Sequence, residues 1–250
     1  MKWFYEQRLL TKLLFVLFGF SFLIPFTTAE AQIRFKPPEG LEAPGRRVAG
    51  GSRAPQERNC SSGQHPLTAL VPNSNIGLTT QANPTLFFYV PQTSATLELV
   101  LRDQDKEYKQ TYKSSQKAGI VSIPFNQAPL EVGKVYRWSF SIVCNPKERS
   151  KDKFVEGGIK RIKTEPQLAS KLAAASPQER ANLYAEAGIW QDSLDSLAES
   201  LSSNAKNAAE LKAQWQALLT SKSVGLDNLV NEPLLLGQQK PEVLTTKQSN

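Results

Sequence analysis

The residues best suited to chemistry are scarce in this chain. Its 250 residues include two cysteines, Cys60 and Cys144, and one histidine, His65. Zinc sites built on several histidines, Cys₄ sites and iron–sulfur clusters each need more such ligands, so the sequence predicts no metal and no cofactor of these kinds. His65 precedes a proline, and no G-x-S-x-G motif accompanies it. A single histidine without such partners is only weak evidence for nucleophilic catalysis. We therefore interpret His65 as a surface or structural residue and predict no catalytic residue.

Two further motifs resemble binding sites, but each lacks residues that such a site needs. Asp103, Asp105 and Glu107 alternate as in a calcium loop, but the turn glycine and the remaining oxygen ligands are missing. A solvated hairpin turn is the better interpretation. The glycine-rich residues 45–51 lack the G-K-[ST] ending of a phosphate loop. Their two arginines, Arg46 and Arg47, can still bind an anion through the forked guanidinium.

The first 31 residues have the features of an export signal. Lys2, Arg8 and Lys12 precede an apolar run at 13–24, and A-E-A at 29–31 is a small-x-small cleavage pattern. The run is shorter than the ~20 residues of an ordinary membrane span. An uncleaved anchor is the alternative, and no later segment is apolar enough to cross a bilayer. The sequence predicts an exported, periplasmic or extracellular protein, in which Cys60 and Cys144 form a disulfide. The alternative for the two cysteines is a pair of unrelated buried thiols.

Residues 67–163 alternate as β-strands do. Seven strands are predicted, at 67–71, 85–90, 96–102, 108–112, 119–123, 135–143 and 154–162. In the sixth, Tyr136 and Trp138 fall on the apolar face. The preceding residues read L-x-x-G-x-x-Y, which is typical of the tyrosine corner, where the hydroxyl bonds the backbone of the preceding connection. The sequence predicts a seven-stranded immunoglobulin- or fibronectin III-like sandwich; the alternative for Tyr136 and Trp138 is an aromatic pair on an ordinary strand.

Other segments flank the predicted sandwich. Residues 32–66 form a basic, Pro- and Gly-rich arm, and residues 231–250 a loose polar tail. Between 164 and 230 the period becomes helical, and S-P-Q-E at 176–179 is a helix start. We predict a small helical hairpin followed by a third helix. Tyr184 and Trp190 in the hairpin pack internally or, as the alternative, offer an apolar docking face.

Strand direction places Cys144 at the end of the sixth strand, where the first strand begins. A disulfide would therefore join the basic arm to the basic loop at 145–153. The net charge is +7 for the whole chain and +6 once the export signal is removed, which suits an acidic partner. The residues predicted to contact it are Arg46, Arg47, Arg53, Arg149 and Lys151. The alternative is that these loops are simply solvated.

The chain resembles the domain-of-unknown-function family number 928, found mainly in cyanobacteria. The segments that carry this resemblance are APGRRVAGG at 43–51, LTALVP at 67–72, PTLFFYVP at 84–91, PLEVG at 129–133, YRW at 136–138, CNP at 144–146, VEG at 155–157 and YAEAGIW at 184–190. Gly158 departs from the pattern, because an aromatic is expected there, and this puts the packing of the last strand in doubt. The resemblance implies an exported sandwich-plus-helices protein and no catalytic activity.

We therefore expect a non-enzymatic binding or assembly module of the cell envelope. Its partner would be an envelope protein or an anionic polymer, and nucleic acid is not expected outside the cytoplasm. The alternative is an envelope hydrolase or transferase whose carboxylate pair or Ser/Lys site is assembled from residues distant in the sequence.

Overall fold

The computed structural model describes residues 33–50, 60–104, 106–203, 207–237 and 241–242. The predicted export signal at 1–31 and Arg53 lie outside these ranges. Across the described ranges, no helix combines the length and the apolarity needed to cross a membrane.

The chain is mainly β, with helices towards its C-terminal end. The strands are β1 (Ser61–Ser62), β2 (Thr68–Ala69), β3 (Ile76–Thr79), β4 (Thr85–Val90), β5 (Gln92–Thr93), β6 (Thr96–Arg102), β7 (Glu107–Tyr112), β8 (Gly119–Pro124), β9 (Val135–Val143), β10 (Lys153–Arg161) and β11 (Pro241–Glu242). The seven predicted strands are all present, with ends displaced by at most two residues. Strands β1, β3, β5 and β11 are additions to the prediction.

The strands form three sheets. One has six strands in the order β11-β7-β6-β9-β10-β3, the second is β2-β4-β8, and β1 pairs with β5 alone. All neighbours are antiparallel except β3, which runs parallel to β10. The two larger sheets share a core, because the apolar sides of β4 and β8 pack against those of β6 and β9.

Strand β9 has the predicted alternation. Tyr136 and Trp138 are at most 3% exposed, in the core between the sheets. Phe140 stacks on Phe88 with ring centroids 4.0 Å apart. The Tyr136 hydroxyl accepts a hydrogen bond of 3.0 Å from the backbone N–H of Glu131, the bond that the L-x-x-G-x-x-Y motif predicts.

Two glycines let the last strand pack closely. A Cβ on Gly157 would stand 2.4 Å from the Trp138 indole, and one on Gly158 would stand 3.0 Å from the Cβ of Ala43 and 3.1 Å from the Ile76 side chain. An aromatic at 158 would collide with both. Gly158 therefore fits this close packing against Ala43 and Ile76, and β10 pairs with β9 from Lys153 to Lys160.

In the described chain, four α-helices lie between β10 and β11: α1 (Pro166–Ala174), α2 (Pro177–Glu186), α3 (Trp190–Ser203) and α4 (Ala208–Leu219). Ser176 and Glu179 form the reciprocal capping box at the start of α2 that the S-P-Q-E motif predicts. Gly188, at a φ of +74°, lies in the turn between α2 and α3.

The helices cover the outer face of the three-stranded sheet. Phe87 and Tyr89 of β4 pack in a second core with Trp190, Trp215 and other apolar residues of α3 and α4. The Trp190 indole is 0% exposed and donates a 2.7 Å hydrogen bond to the carbonyl of Leu70. It therefore packs internally and offers no docking face, whereas Tyr184 is half-buried.

Candidate functional site

The disulfide fixes the position of β1. Cys60 and Cys144 are bonded, as predicted, with their Cα atoms 5.3 Å apart. The Thr93 hydroxyl donates a 2.7 Å hydrogen bond to the carbonyl of Cys60, and Ser61 pairs with Thr93 across β1 and β5. Residues on β1 are therefore held at the end of β9, where the loop at 145–152 begins.

Arg46 and Arg47 lie on a stretch of arm between the two larger sheets. The carbonyl of Arg46 accepts from the N–H of Glu156 on β10, and that of Arg47 from the N–H of Ala69 on β2. Because neighbouring residues of an extended chain project to opposite sides, the two guanidinium groups reach different surroundings.

The guanidinium of Arg47 is bonded to backbone carbonyls of the protein itself. It donates to the carbonyls of Val71 at 3.1 Å, of Val224, and of Gly225 at 3.5 Å. Burial lowers the pKa of Arg47 from its ordinary value. With its donors directed at carbonyls, Arg47 joins the arm to the segment after α4 and contributes little to an anion site.

The two loop residues predicted to contact an acidic partner, Arg149 and Lys151, are paired with carboxylates of this chain. Arg149 bonds Glu98 at 2.7 Å and Asp152 at 2.5 Å, and these bonds raise its pKa. Lys151 pairs with Glu148. The loop therefore adds less to a basic surface than its sequence indicates.

Arg46 and Lys153, unlike Arg149 and Lys151, are not paired with carboxylates in the described chain. The guanidinium of Arg46 lies 4.4 Å from the ring centroid of Phe154, a cation–π contact. Within the described part of the chain, neither it nor the Lys153 ammonium has a carboxylate partner. Lys153 lines a cleft of about 290 Å³. A Cβ on Gly50, in the same lining, would stand 3.7 Å from the Arg46 guanidinium, so Arg46 lies beside this cleft, while Lys153 lines it.

We name this site the cationic cleft. The residues that line it with polar groups are Gly50, Ser61, Ser62, Gly63, Gln64, His65 and Lys153. The hydroxyls of Ser61 and Ser62 make no hydrogen bond to another described residue. Ammonium, guanidinium and hydroxyl groups all donate hydrogen bonds, and the first two carry positive charge, so the cleft suits an anion.

His65 is turned towards the C-terminal segment. Its Nε2 lies 3.4 Å from the Glu232 carboxylate and its Nδ1 lies 3.4 Å from the Asn228 side-chain nitrogen. Its ring contacts Tyr89 edge-on, with centroids 5.7 Å apart. With Nε2 donating and Nδ1 accepting, both nitrogens are engaged, which is the structural role predicted for this histidine.

A second surface, the Asp195 groove, has a volume of about 470 Å³ and includes Thr85, Ser122, Asp195, Glu199 and Ser202 in its lining. Burial raises the pKa of Asp195 to about 6; a hydrogen bond from Thr85 lowers it, and the charges of Asp192 and Glu199 add to the increase. Asp195 was not predicted from the sequence, where its only signal is its helical spacing from Asp192 and Glu199.

In the part of the chain that the structure describes, no three His, Cys, Asp or Glu side chains are grouped to hold a metal ion. The sequence predicted a role for Arg46, which lies beside the cleft, but did not single out the lining residues Lys153, Ser61 and Ser62. Lys153 was counted only within the basic loop at 145–153, and the signal for the two serines was their proximity to Cys60.

A family model matches most of this chain. The model of a family described as Domain of Unknown Function (DUF928) matches residues 48–234, about three-quarters of the chain. Among curated proteins, none matches. The matched region contains all four helices and the strands from β1 to β10, including most of the lining of the cationic cleft. The chain therefore belongs to the DUF928 family.

Proposed function

We propose that this protein is an exported, non-enzymatic binding or assembly module of the cell envelope, and that it engages an anionic partner at the cationic cleft. Export rests on the charge, apolar run and cleavage pattern of residues 1–31. The observation that carries the binding role is a polar cleft next to the disulfide-anchored β1, lined by Lys153 and with Arg46 beside its Gly50, neither cation having a carboxylate partner in the described chain.

The scaffold that we propose is an immunoglobulin- or fibronectin III-like sandwich. The order β2-β4-β8 in the three-stranded sheet and the run β7-β6-β9-β10 inside the six-stranded sheet support it, with β11 and β3 added at the two edges of the larger sheet. So does the bond from the Glu131 N–H to the Tyr136 hydroxyl, as in a tyrosine corner. In this arrangement the cationic cleft lies at the end of the sandwich where β9 finishes.

The chemistry of the cleft favours binding over turnover. A guanidinium presents a planar fork to a carboxylate, phosphate or sulfate, and an ammonium adds a compact charge. The stacking of Arg46 on Phe154 limits its rotamers, which lowers the entropy that the side chain loses on binding.

Polyanion binding by the purified mature protein tests this function. The probes are polygalacturonate, poly-L-glutamate and vesicles containing an anionic lipid. We expect at least one to bind, more weakly as salt is raised, and the change Arg46→Ala with Lys153→Ala to weaken that binding roughly tenfold.

The matched control removes two exposed lysines from the opposite end of the six-stranded sheet, Lys106→Ala with Lys163→Ala. It lowers the net charge by the same amount and should leave binding close to that of the wild type. Equal losses in the two double variants would mean that net charge alone causes binding, and no loss in the Arg46 and Lys153 variant would refute the cleft.

A second candidate, an envelope hydrolase or transferase, is favoured by one observation, the raised pKa of Asp195 beside Glu199 in the Asp195 groove. A carboxyl that stays protonated near pH 6 is suited to act as a general acid. Release of new reducing ends from polygalacturonate or peptidoglycan by the wild type, lost in Asp195→Asn, would favour this candidate.

A further inference from the structure

A second cleft adjoins the cationic cleft at β1. It has a volume of about 430 Å³ and shares Ser61 and Ser62 with the cationic cleft. The rest of its lining comes from Cys60, Gln92, Thr93, Ser94 and Gln116, none of which is ionised. We name it the neutral cleft.

The polar groups of the neutral cleft are positioned by backbone pairing. Ser62 pairs with Gln92 across β1 and β5. The Thr93 hydroxyl is engaged, donating to the Cys60 carbonyl and accepting from the Ala95 N–H at 3.0 Å. Gln92 and Ser94 are exposed. The cleft therefore presents amide and hydroxyl groups on a strand pair anchored by the disulfide.

Gln116 completes the neutral cleft from a loop tied to β5. The Ser114 hydroxyl donates a 2.6 Å hydrogen bond to the carbonyl of Thr93 and accepts from the Gln116 N–H at 3.0 Å. Gln116 has a φ of +61°, a conformation that residues other than glycine rarely adopt. The loop thus holds the Gln116 amide beside the cleft despite an unfavourable backbone conformation.

The two clefts together indicate one class of ligand. A sugar hydroxyl both donates and accepts hydrogen bonds, and glutamine amides and serine hydroxyls do the same, so the neutral cleft matches a sugar ring. The cationic cleft matches a carboxylate or sulfate on an adjoining ring. An acidic peptide has no run of hydroxyls, and a lipid headgroup needs only the charged cleft.

We propose that the anionic partner is an acidic polysaccharide, whose chain crosses β1 with its charged group in the cationic cleft and a neighbouring ring in the neutral cleft. This inference rests on the proposed function, and it adds the chemical class of the ligand and the residues that distinguish it from other polyanions.

The test compares oligogalacturonate with poly-L-glutamate of matched charge, by calorimetry. The variant is Gln92→Ala with Gln116→Asn, since asparagine tolerates a positive φ and shortens the side chain. Loss of the Gln92 amide and withdrawal of the amide at 116 by one methylene should weaken oligogalacturonate binding roughly tenfold and leave poly-L-glutamate binding unchanged. Gln104→Ala, an exposed glutamine in the hairpin at the opposite end of the sheet, is the control and should bind both probes normally.

The possible results separate the two proposals. If the Arg46 and Lys153 variant weakens both probes while the glutamine variant weakens neither, or weakens both equally, the polysaccharide inference is wrong and the proposed function stands. If the Arg46 and Lys153 variant weakens neither probe, the proposed function fails, and the inference fails with it. Thermal unfolding of each variant verifies that it is folded, which we expect because the substituted side chains are exposed or, for Lys153, partly exposed.

Discussion

Replacing Asp195 with asparagine should stabilise the protein at neutral pH. The side chain lies on α3 in the Asp195 groove, and burial there raises its pKa from 3.8 to about 6. The Thr85 hydrogen bond offsets part of that increase, and the nearby Asp192 carboxyl adds to it. An ionised Asp195 is therefore disfavoured in the folded state, and an amide removes the charge while keeping hydrogen-bonding atoms.

The magnitude follows from the two pKa values. A difference of one pKa unit between folded and unfolded chains corresponds to about 1.4 kcal/mol, so the Asp195 charge destabilises the folded state by about 3 kcal/mol at pH 8. As the pH falls through 6 towards 4, the folded state takes up the proton first and this destabilisation disappears. We expect Asp195→Asn to raise the free energy of unfolding by about 3 kcal/mol at pH 8 and by only about 0.5 kcal/mol at pH 4.

Urea unfolding at pH 4, 6 and 8 measures this effect, and thermal scans should show a rise of roughly 6–12 °C at pH 8. Asp227→Asn, an exposed aspartate in the segment after α4, is the control and should change stability little. A loss of stability in Asp195→Asn at pH 8, or a gain of the same size at pH 4 and pH 8, would refute the reasoning.

Two other variants test the contacts that hold the residues around the cationic cleft in place. Cys60→Ser with Cys144→Ser opens a bond that spans 84 residues, and urea unfolding should show a loss of about 4–5 kcal/mol; unchanged stability would contradict this. Arg47→Lys keeps the charge but loses the fork that reaches three carbonyls, so stability should fall by about 1–3 kcal/mol with polyanion binding unchanged. Lost binding at normal stability would instead make Arg47 a ligand contact.

The strands that the sequence predicted are those with a long alternation of apolar and polar residues. β9 could be predicted because Tyr136, Trp138 and Phe140 face one core while the intervening side chains face outward. β3 was missed because Ile76–Thr79 has only four residues, all buried, and a glycine among them, so it has no alternation. Its place beside β10 is fixed by pairing that is distant in sequence.

The candidate site was predictable only in part, for a similar reason. The sequence marks Arg149 as basic, but its partner Glu98 lies 51 residues earlier. The carbonyl of Val224 that engages Arg47 lies 177 residues away. Whether a cation is free or paired is decided by tertiary contacts, and charge counting alone assigned Arg46, Arg47 and Arg149 the same role.

The three-stranded sheet has consequences for synthesis. Its central strand β4 is apolar on both sides, since Leu86 and Phe88 face one core while Phe87 and Tyr89 face the other. Because the chain is made from its N-terminus, the strands are complete before α3 and α4 exist. Until those helices arrive, Phe87 and Tyr89 form part of an uncovered apolar surface, which is a site for aggregation or for a chaperone. The β-sheets of this protein are therefore not an independent domain. A chain truncated before α1 would keep this apolar surface uncovered permanently.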